Sequence, residues 1–214
     1  MNKRKILLIG NGGHCKSVID SVISSGSYDE VAIVDKDDSS IQVNSIKVYC
    51  DADLPRLYTE GWSEAFITVG SIGDTHIRER LYEHIIQIGF RIPSIIDPTA
   101  IVAKDTQIHD GVFVGKNAVI NAGTVINECA IINSGAIIEH DCYIGEFAHI
   151  SPGAILCGGV KVGKKSHIGA GTVVKQQLTI GNTTLVGVGS VIVSDIPDNV
   201  VAYGNPCRII KENG

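Results

Sequence analysis

VINAGTVINECAIINSGAIIEH, residues 119–140, places an isoleucine at every sixth position: Ile120, Ile126, Ile132 and Ile138. Outward from this stretch the step of six holds without a slip from Ile96 to Ile192, and every residue in the series is Ile, Val or Leu. The fourth residue after each is usually small, as in Thr124, Ala130, Ala136, Cys142 and Ala148. A period of six matches neither an α-helix nor a heptad coiled coil, but it is a multiple of the strand period of two. Hexad repeats are the signature of a parallel β-helix in which each hexad forms one flat side and three sides close a coil of about 18 residues. The run predicts about five and a half coils, a prism about 26 Å tall at the usual ~4.8 Å strand spacing, with the aliphatic series filling its axis. Because the step never breaks, no long loop is expected to leave any coil.

The N-terminal part has a different pattern. KILLIG reads as a strand, and GHCKSVIDSVISSG as a helix with Val18, Ile19, Val22 and Ile23 at helical spacing. VAIVD is a second strand. After an irregular stretch, AFITVG is a third, followed by a helix over DTHIRERLYEHIIQIGF with Ile77, Leu81 and Ile85 on one stripe. This is a small parallel α/β unit, half-Rossmann-like, spanning residues 1–92; RIPSIIDPTA, with two prolines, suits a linker into the β-helix of 93–214.

Gly10 and Gly12 match the first two glycines of a dinucleotide-binding loop, and Asp35 closes the next strand where such a loop expects an acid. The third glycine position holds Cys15. A complete dinucleotide fold needs two such halves, so these glycines fit one nucleotide better than a nicotinamide dinucleotide.

A net charge of -5 without a Lys/Arg cluster argues against nucleic acid or an anionic membrane as the main partner. No apolar run is long enough to span a bilayer and no secretory leader is recognisable, so the chain reads as cytoplasmic, without membrane insertion. The six cysteines form no C-x-x-C pair and should stay reduced.

With GNGGH (10–14), VAIVD (31–35), the unbroken hexads, NSGAIIEHDCYIGEFAHISPGA (133–154) and GNPCRII (204–210), the sequence resembles the bacterial hexapeptide-repeat nucleotide-sugar acetyltransferases. These include the bacillosamine/perosamine-type N-acetyltransferases and the sialic acid O-acetyltransferases. The resemblance implies a left-handed β-helix, a homotrimer, and acetyl-CoA bound between neighbouring prisms. It implies that His140 is the general base and that Asp141, standing where the family often has Glu, supports it. It further implies that His149, Gly158, Ala170 and Val188 contact acetyl-CoA, and that Gly12, Gly13, His14, Asp35 and Gly70 hold the nucleotide-sugar. Lys36 stands where the family often has a second acid, which leaves the nucleobase open.

The chemistry agrees with that assignment. Acyl transfer to a sugar amine needs a base for the amine proton and donors for the oxyanion forming on the thioester carbonyl. His140 follows Ile138 by two residues, at an outward position, and Asp141 can hold its tautomer. A helix N-terminus behind Gly12 and Gly13 suits phosphate, since it offers close backbone approach and a positive dipole. The expected activity is acetyl-CoA-dependent N-acetylation of a nucleotide-linked amino sugar, with sialic acid O-acetylation as the alternative. Two other classes remain open. A zinc carbonic anhydrase-like prism would draw on His149 and His167, one coil apart, but the expected third histidine ligand is not evident, so no metal is expected. A non-enzymatic sugar-nucleotide-binding scaffold would leave the His140–Asp141 pair idle.

Overall fold

A computed structural model of the chain describes residues 3–36 and 46–213. They form two compact units: Met1–Gly70 with His76–Ile95, and Ser71–Thr75 with Ile96–Gly214.

The first unit is a four-stranded parallel sheet with strands β1 (Lys5–Ile9), β2 (Glu30–Asp35), β3 (Lys47–Cys50) and β4 (Glu64–Ile67) in the order β3-β2-β1-β4. Its helices are α1 (Gly13–Ser25), α2 (Leu54–Thr59) and α3 (His76–Ile88). Ile6 to Ile9, Ala32 to Val34 and Ala65 to Phe66 are almost wholly buried, as expected of parallel strands covered on both faces. On α1, Val18, Ile19 and Val22 face this sheet core while Ile23 is exposed; on α3, Ile85 is buried and Ile77 exposed, so the apolar stripes are narrower than their spacing suggested. The irregular stretch before β4 contains more order than its sequence indicated. Its described part carries β3, a short 3-10 turn (Asp51–Asp53) and α2, which starts with Pro55 in its first turn. Between β1 and β4 the strand order reverses direction, and at such a switch point the carboxyl ends of the strands open a crevice.

The second unit is a left-handed parallel β-helix of two-residue strands stacked in three sheets. The first face carries Val119–Ile120, Ile137–Ile138, Ile155–Leu156, Val173–Val174 and their equivalents at either end. The second carries Val125–Ile126, Tyr143–Ile144 and Lys161–Val162, and the third carries Ile131–Ile132, His149–Ile150, His167–Ile168 and Leu185–Val186. The hexad series points inward: from Val114 to Ile192 each member is at most 1 % exposed. The small residue two positions before each also points inward, since a bulkier one would not fit beside the aliphatic neighbours. Strand amides donate to the next rung, as from Asn121 N–H to Ile138 O at 2.9 Å. At each corner one residue turns left-handed, at Gly123, Cys129, Gly135, Asp141 and Phe147 among others, and donates back to the previous rung, as from Asp141 N–H to Ala122 O at 2.9 Å.

The series frays where the stack begins: Val102 and Ile108 are half-buried and Ile96 is 40 % exposed. At the other end Ile196, Ala202 and Cys207 close the axis, and Val200–Tyr203 pairs with Arg208–Glu212 as an antiparallel hairpin. All six cysteines are free thiols. No helix among the described residues is long and apolar enough to cross a membrane.

Ile96 and Ile132 are equivalent in sequence period and unlike in burial, which yields a test. Ile132→Ala should destabilise the fold by about 2–5 kcal/mol, and Ile96→Ala by clearly less. Urea unfolding of the two variants checks this, and equal losses would contradict the frayed first coil.

Candidate functional site

Gly12, Gly13, His14, Asp35 and Gly70 converge at the carboxyl end of the sheet of the first unit. Gly10, directly after β1, has φ +108°, and a Cβ there would lie 2.6 Å from Val69 Cγ2, so only glycine makes this turn. Asp35 Oδ2 accepts the Asn11 N–H at 2.8 Å and Oδ1 accepts the Lys36 N–H at 2.7 Å, which fixes the acid against the glycine turn. Helix α1 starts behind Gly12 with no side-chain cap and no acid in its first turn, leaving its first amides directed at the crevice. A Cβ on Gly12 or Gly13 would meet nothing within 4 Å, so the protein itself does not require glycine there. Gly70 faces His14, whose Cβ would lie 3.6 Å from a side chain at position 70. Burial, and then the charge of Arg78, push His14 down to about 4, so the ring is neutral at physiological pH. Cys15 fills the space that a third glycine would leave open; it is fully buried, and burial lifts its thiol to about 11.

The crevice continues as a shallow cleft open to solvent. Ile9, Val34, Val69 and Ile77 form its apolar floor, and Asp35, Lys36, Asp51 and Arg80 stand around it. The exposure of Ile77 is thereby explained, since its side chain lines this opening.

In the β-helix, His140, Asp141 and Gly158 meet at the corner between the first and second faces. His140 Nδ1 lies 2.8 Å from Asp141 Oδ2. A carboxylate can only accept there, so Nδ1 carries the proton and Nε2 holds the free lone pair. The ring lies over Gly158, one rung on: a Cβ at Gly158 would come within 2.5 Å of His140 Nε2 and 2.6 Å of Cε1. A side chain at 158 would displace the imidazole from this position, while the backbone angle there does not itself call for glycine. The Gly158 N–H makes no backbone hydrogen bond among the described residues. Asp141 has φ 59°, a conformation that Asp and Asn tolerate better than other non-glycine residues. Its Oδ1 crowds Gly123 on the preceding rung, where a Cβ would lie 2.6 Å away.

The remaining predicted residues are elsewhere in this chain. Ala170 and the 75 % exposed Val188 stack at the corner between the third and first faces, joined by the Gly189 N–H to Ala170 O bond at 2.8 Å. His149 is on the third face, across the prism from the His140 corner. Its two ring nitrogens have distinct neighbours. Asn133 Oδ1 accepts the Ser134 N–H at 2.8 Å, which turns its amide NH₂ toward His149 Nε2 at 3.2 Å, and His149 Nδ1 donates to Ser71 O at 3.0 Å. His149 also meets His167 edge-to-face at 4.9 Å, and burial lowers the His167 pKa. Among the described residues, no three His, Cys, Asp or Glu side chains are grouped to hold a metal ion.

Asn133, Ser71 and Asp51 were not singled out from the sequence. Asn133 had a readable signal, since it lies one coil minus two residues before His149 on the stacked lattice. Ser71 and Asp51 had none, because long-range packing brings them to their neighbours.

Residues 5–85 match the model of the PglD N-terminal domain. Residues 141–176 match that of the bacterial transferase hexapeptide (six repeats), and residues 105–128 that of the hexapeptide repeat of succinyl-transferase. Among solved structures, the chain is similar to perosamine N-acetyltransferase from Caulobacter crescentus, crystallised as a histidine variant with CoA and GDP-perosamine, at 38 % identity and a TM-score of 0.91, with 97 % of each chain covered. It is similar to the acetyltransferase domain of PglB from Neisseria gonorrhoeae, solved with acetyl coenzyme A, at 35 % identity and a TM-score of 0.91, covering 98 % of this chain and 100 % of that one. WeeI from Acinetobacter baumannii shares the fold at 20 % identity and a TM-score of 0.65, with 96 % of this chain and 99 % of that one covered. No curated protein matches the chain. With the glycine turn and the stacked hexads on one chain, and likeness to such enzymes over nearly its whole length, the protein belongs to the bacterial hexapeptide-repeat nucleotide-sugar acetyltransferases.

Proposed function

We propose that this enzyme transfers an acetyl group from acetyl-CoA to the amino group of a nucleotide-linked amino sugar, with His140 as general base. One observation carries the reading: Asp141 holds the proton on His140 Nδ1, and the opposite nitrogen, Nε2, faces the bare backbone of Gly158. A base and a backbone donor then stand side by side at one corner. As the amine nitrogen bonds to the thioester carbonyl carbon, Nε2 takes its proton and the Gly158 N–H meets the charge growing on the carbonyl oxygen. Collapse breaks the C–S bond, and the imidazolium returns the proton to the departing thiolate. Asp141 stabilises the imidazolium during the interval. An amine acceptor is supported by the enzyme from Caulobacter crescentus, an N-acetyltransferase by name that was crystallised with GDP-perosamine.

Substrate delivery falls to the glycine turn of the first unit. Gly12, Gly13 and the uncapped start of α1 suit a pyrophosphate, Asp35 a ribose hydroxyl, and Gly70 with the neutral His14 the space beside them.

The active form is a homotrimer. Along the first face the outward strand residues are Ile101, Val119, Ile137, Ile155, Val173 and Val191, an aliphatic ladder that leaves Ile101 65 % and Val173 37 % exposed. Such a stripe marks a protein contact. Gly158 lies at one edge of this face and Ala170 and Val188 at the other, so one acetyl-CoA can touch both sets only where two copies meet. Rotational closure over three copies satisfies every such edge.

His140→Ala should lower kcat by about 10²–10⁴-fold with KM little changed. Asp141→Asn, which keeps the left-handed backbone comfortable, should cost less. A trimeric His140→Ala enzyme with near wild-type kcat would end this assignment. Gly12→Val should raise KM for the nucleotide-sugar and leave that for acetyl-CoA unchanged, because the new side chain meets open space in the protein and only the ligand is obstructed. A change in acetyl-CoA alone would show that the loop serves the other substrate. Light scattering should give three times the chain mass, and a fully active monomer would remove the shared acetyl-CoA site.

A further inference from the structure

The cleft beyond Asp35 carries charged groups that the catalytic corner does not use. Strands β2 and β3 pair with Asp35 opposite Cys50, so Lys36 and Asp51, each one residue beyond its strand, emerge side by side. Arg80 reaches the same cleft from α3. A wider recess continues past these three residues toward His84. Asp51 is half-buried, and its carboxylate feels the charges of Asp35, His84, Lys36 and Arg80 without forming a hydrogen bond to any of them. Burial raises its pKa, and so does Asp35, which is the signature of a carboxylate not neutralised by a direct partner. A desolvated acceptor held beside two uncommitted cations over an apolar floor is a constellation for a flat, polar-edged ring.

We propose that Asp51 reads the nucleobase of the nucleotide-sugar and selects guanine. The proposal rests on the nucleotide-sugar reading above and extends it to the base. Guanine presents two adjacent donors, N1–H and the 2-amino group, which match the two oxygens of a carboxylate. Its O6 and N7 are acceptors, suited to Lys36 and Arg80. Uracil offers a single N–H between two carbonyls, so one carboxylate oxygen would face a carbonyl oxygen and repel it. Adenine and cytosine each set one amino donor beside a ring-nitrogen acceptor, with the same conflict. The apolar floor of Val34, Val69 and Ile77 takes the ring faces, and Asp35, anchored to the glycine turn, is left for the ribose.

Calorimetric titration of the full-length protein with GDP, IDP, XDP and UDP tests this. Wild type should bind GDP about tenfold or more tighter than IDP, which lacks the 2-amino group, and should discriminate at least as strongly against UDP. Asp51→Asn should lose most GDP affinity and gain XDP affinity, because an amide pairs N1–H and O2 of xanthine as a carboxylate cannot. UDP binding should also rise, since uracil offers the same N–H beside a carbonyl to the amide and no longer meets a repelling carboxylate oxygen. Wild type that binds UDP as tightly as GDP overturns the base assignment alone, and needs no variant to be stable. An Asp51→Asn protein that loses all four ligands equally also overturns it, placing Asp51 at the ribose or in the fold. Absence of binding to every diphosphate overturns the nucleotide-sugar reading and the base assignment with it.

Discussion

Everything in the second unit depends on the packing of one aliphatic side chain per hexad against its counterparts one rung above and below. Each is worth about 1.5–3 kcal/mol when fully buried. The series from Val114 to Ile192 is buried to within 1 % exposure, so the coil has no slack in which to shift register. Rung-to-rung amides run both forward from the strands and backward from the corner residues, which over-determines each turn. That is why bulky residues such as Phe147 and Lys165 can occupy the left-handed conformation at corners, at a cost that isolated turns would not sustain.

This rigidity turns a linear sequence into a lattice in which each residue lies beside the one a coil away. His140 therefore lies beside Gly158, and Asp141 between Gly123 and Gly159. Axis positions are committed to packing, but corner positions are free to carry chemistry. The corner at His140 uses that freedom twice: an acid is tolerated at φ 59°, and a bare backbone is left under the imidazole. The same lattice separates His140 from His149, Ala170 and Val188 within one chain.

In the first unit the ordering constraint is different. Parallel strands expose their carboxyl ends together, and the reversal of strand order between β1 and β4 leaves a gap that no crossover covers. Gly10 is needed for the turn, while a Cβ at Gly12 or Gly13 would meet nothing within 4 Å, so packing alone does not dictate those two glycines. Cys15, buried against Thr68, shows why a third glycine can be absent: that position is filled by helix-on-strand packing.

Period alone determined the β-helix, its length, its inward residues and the outward placing of His140, because inward and outward alternation in a strand is local. The strand–helix alternation and glycine spacing likewise determined the parallel unit and the carboxyl-end location of Gly12, Gly13, His14, Asp35 and Gly70. The tertiary structure alone decided which histidine nitrogen is free, since that follows from a 2.8 Å contact between His140 and Asp141. It alone attached Ser71 to His149, 78 positions later in the chain, and brought Asp51 beside Lys36 through the register of β2 with β3. Contacts of this kind are set by the packing of whole elements, and no local pattern of residue types records them.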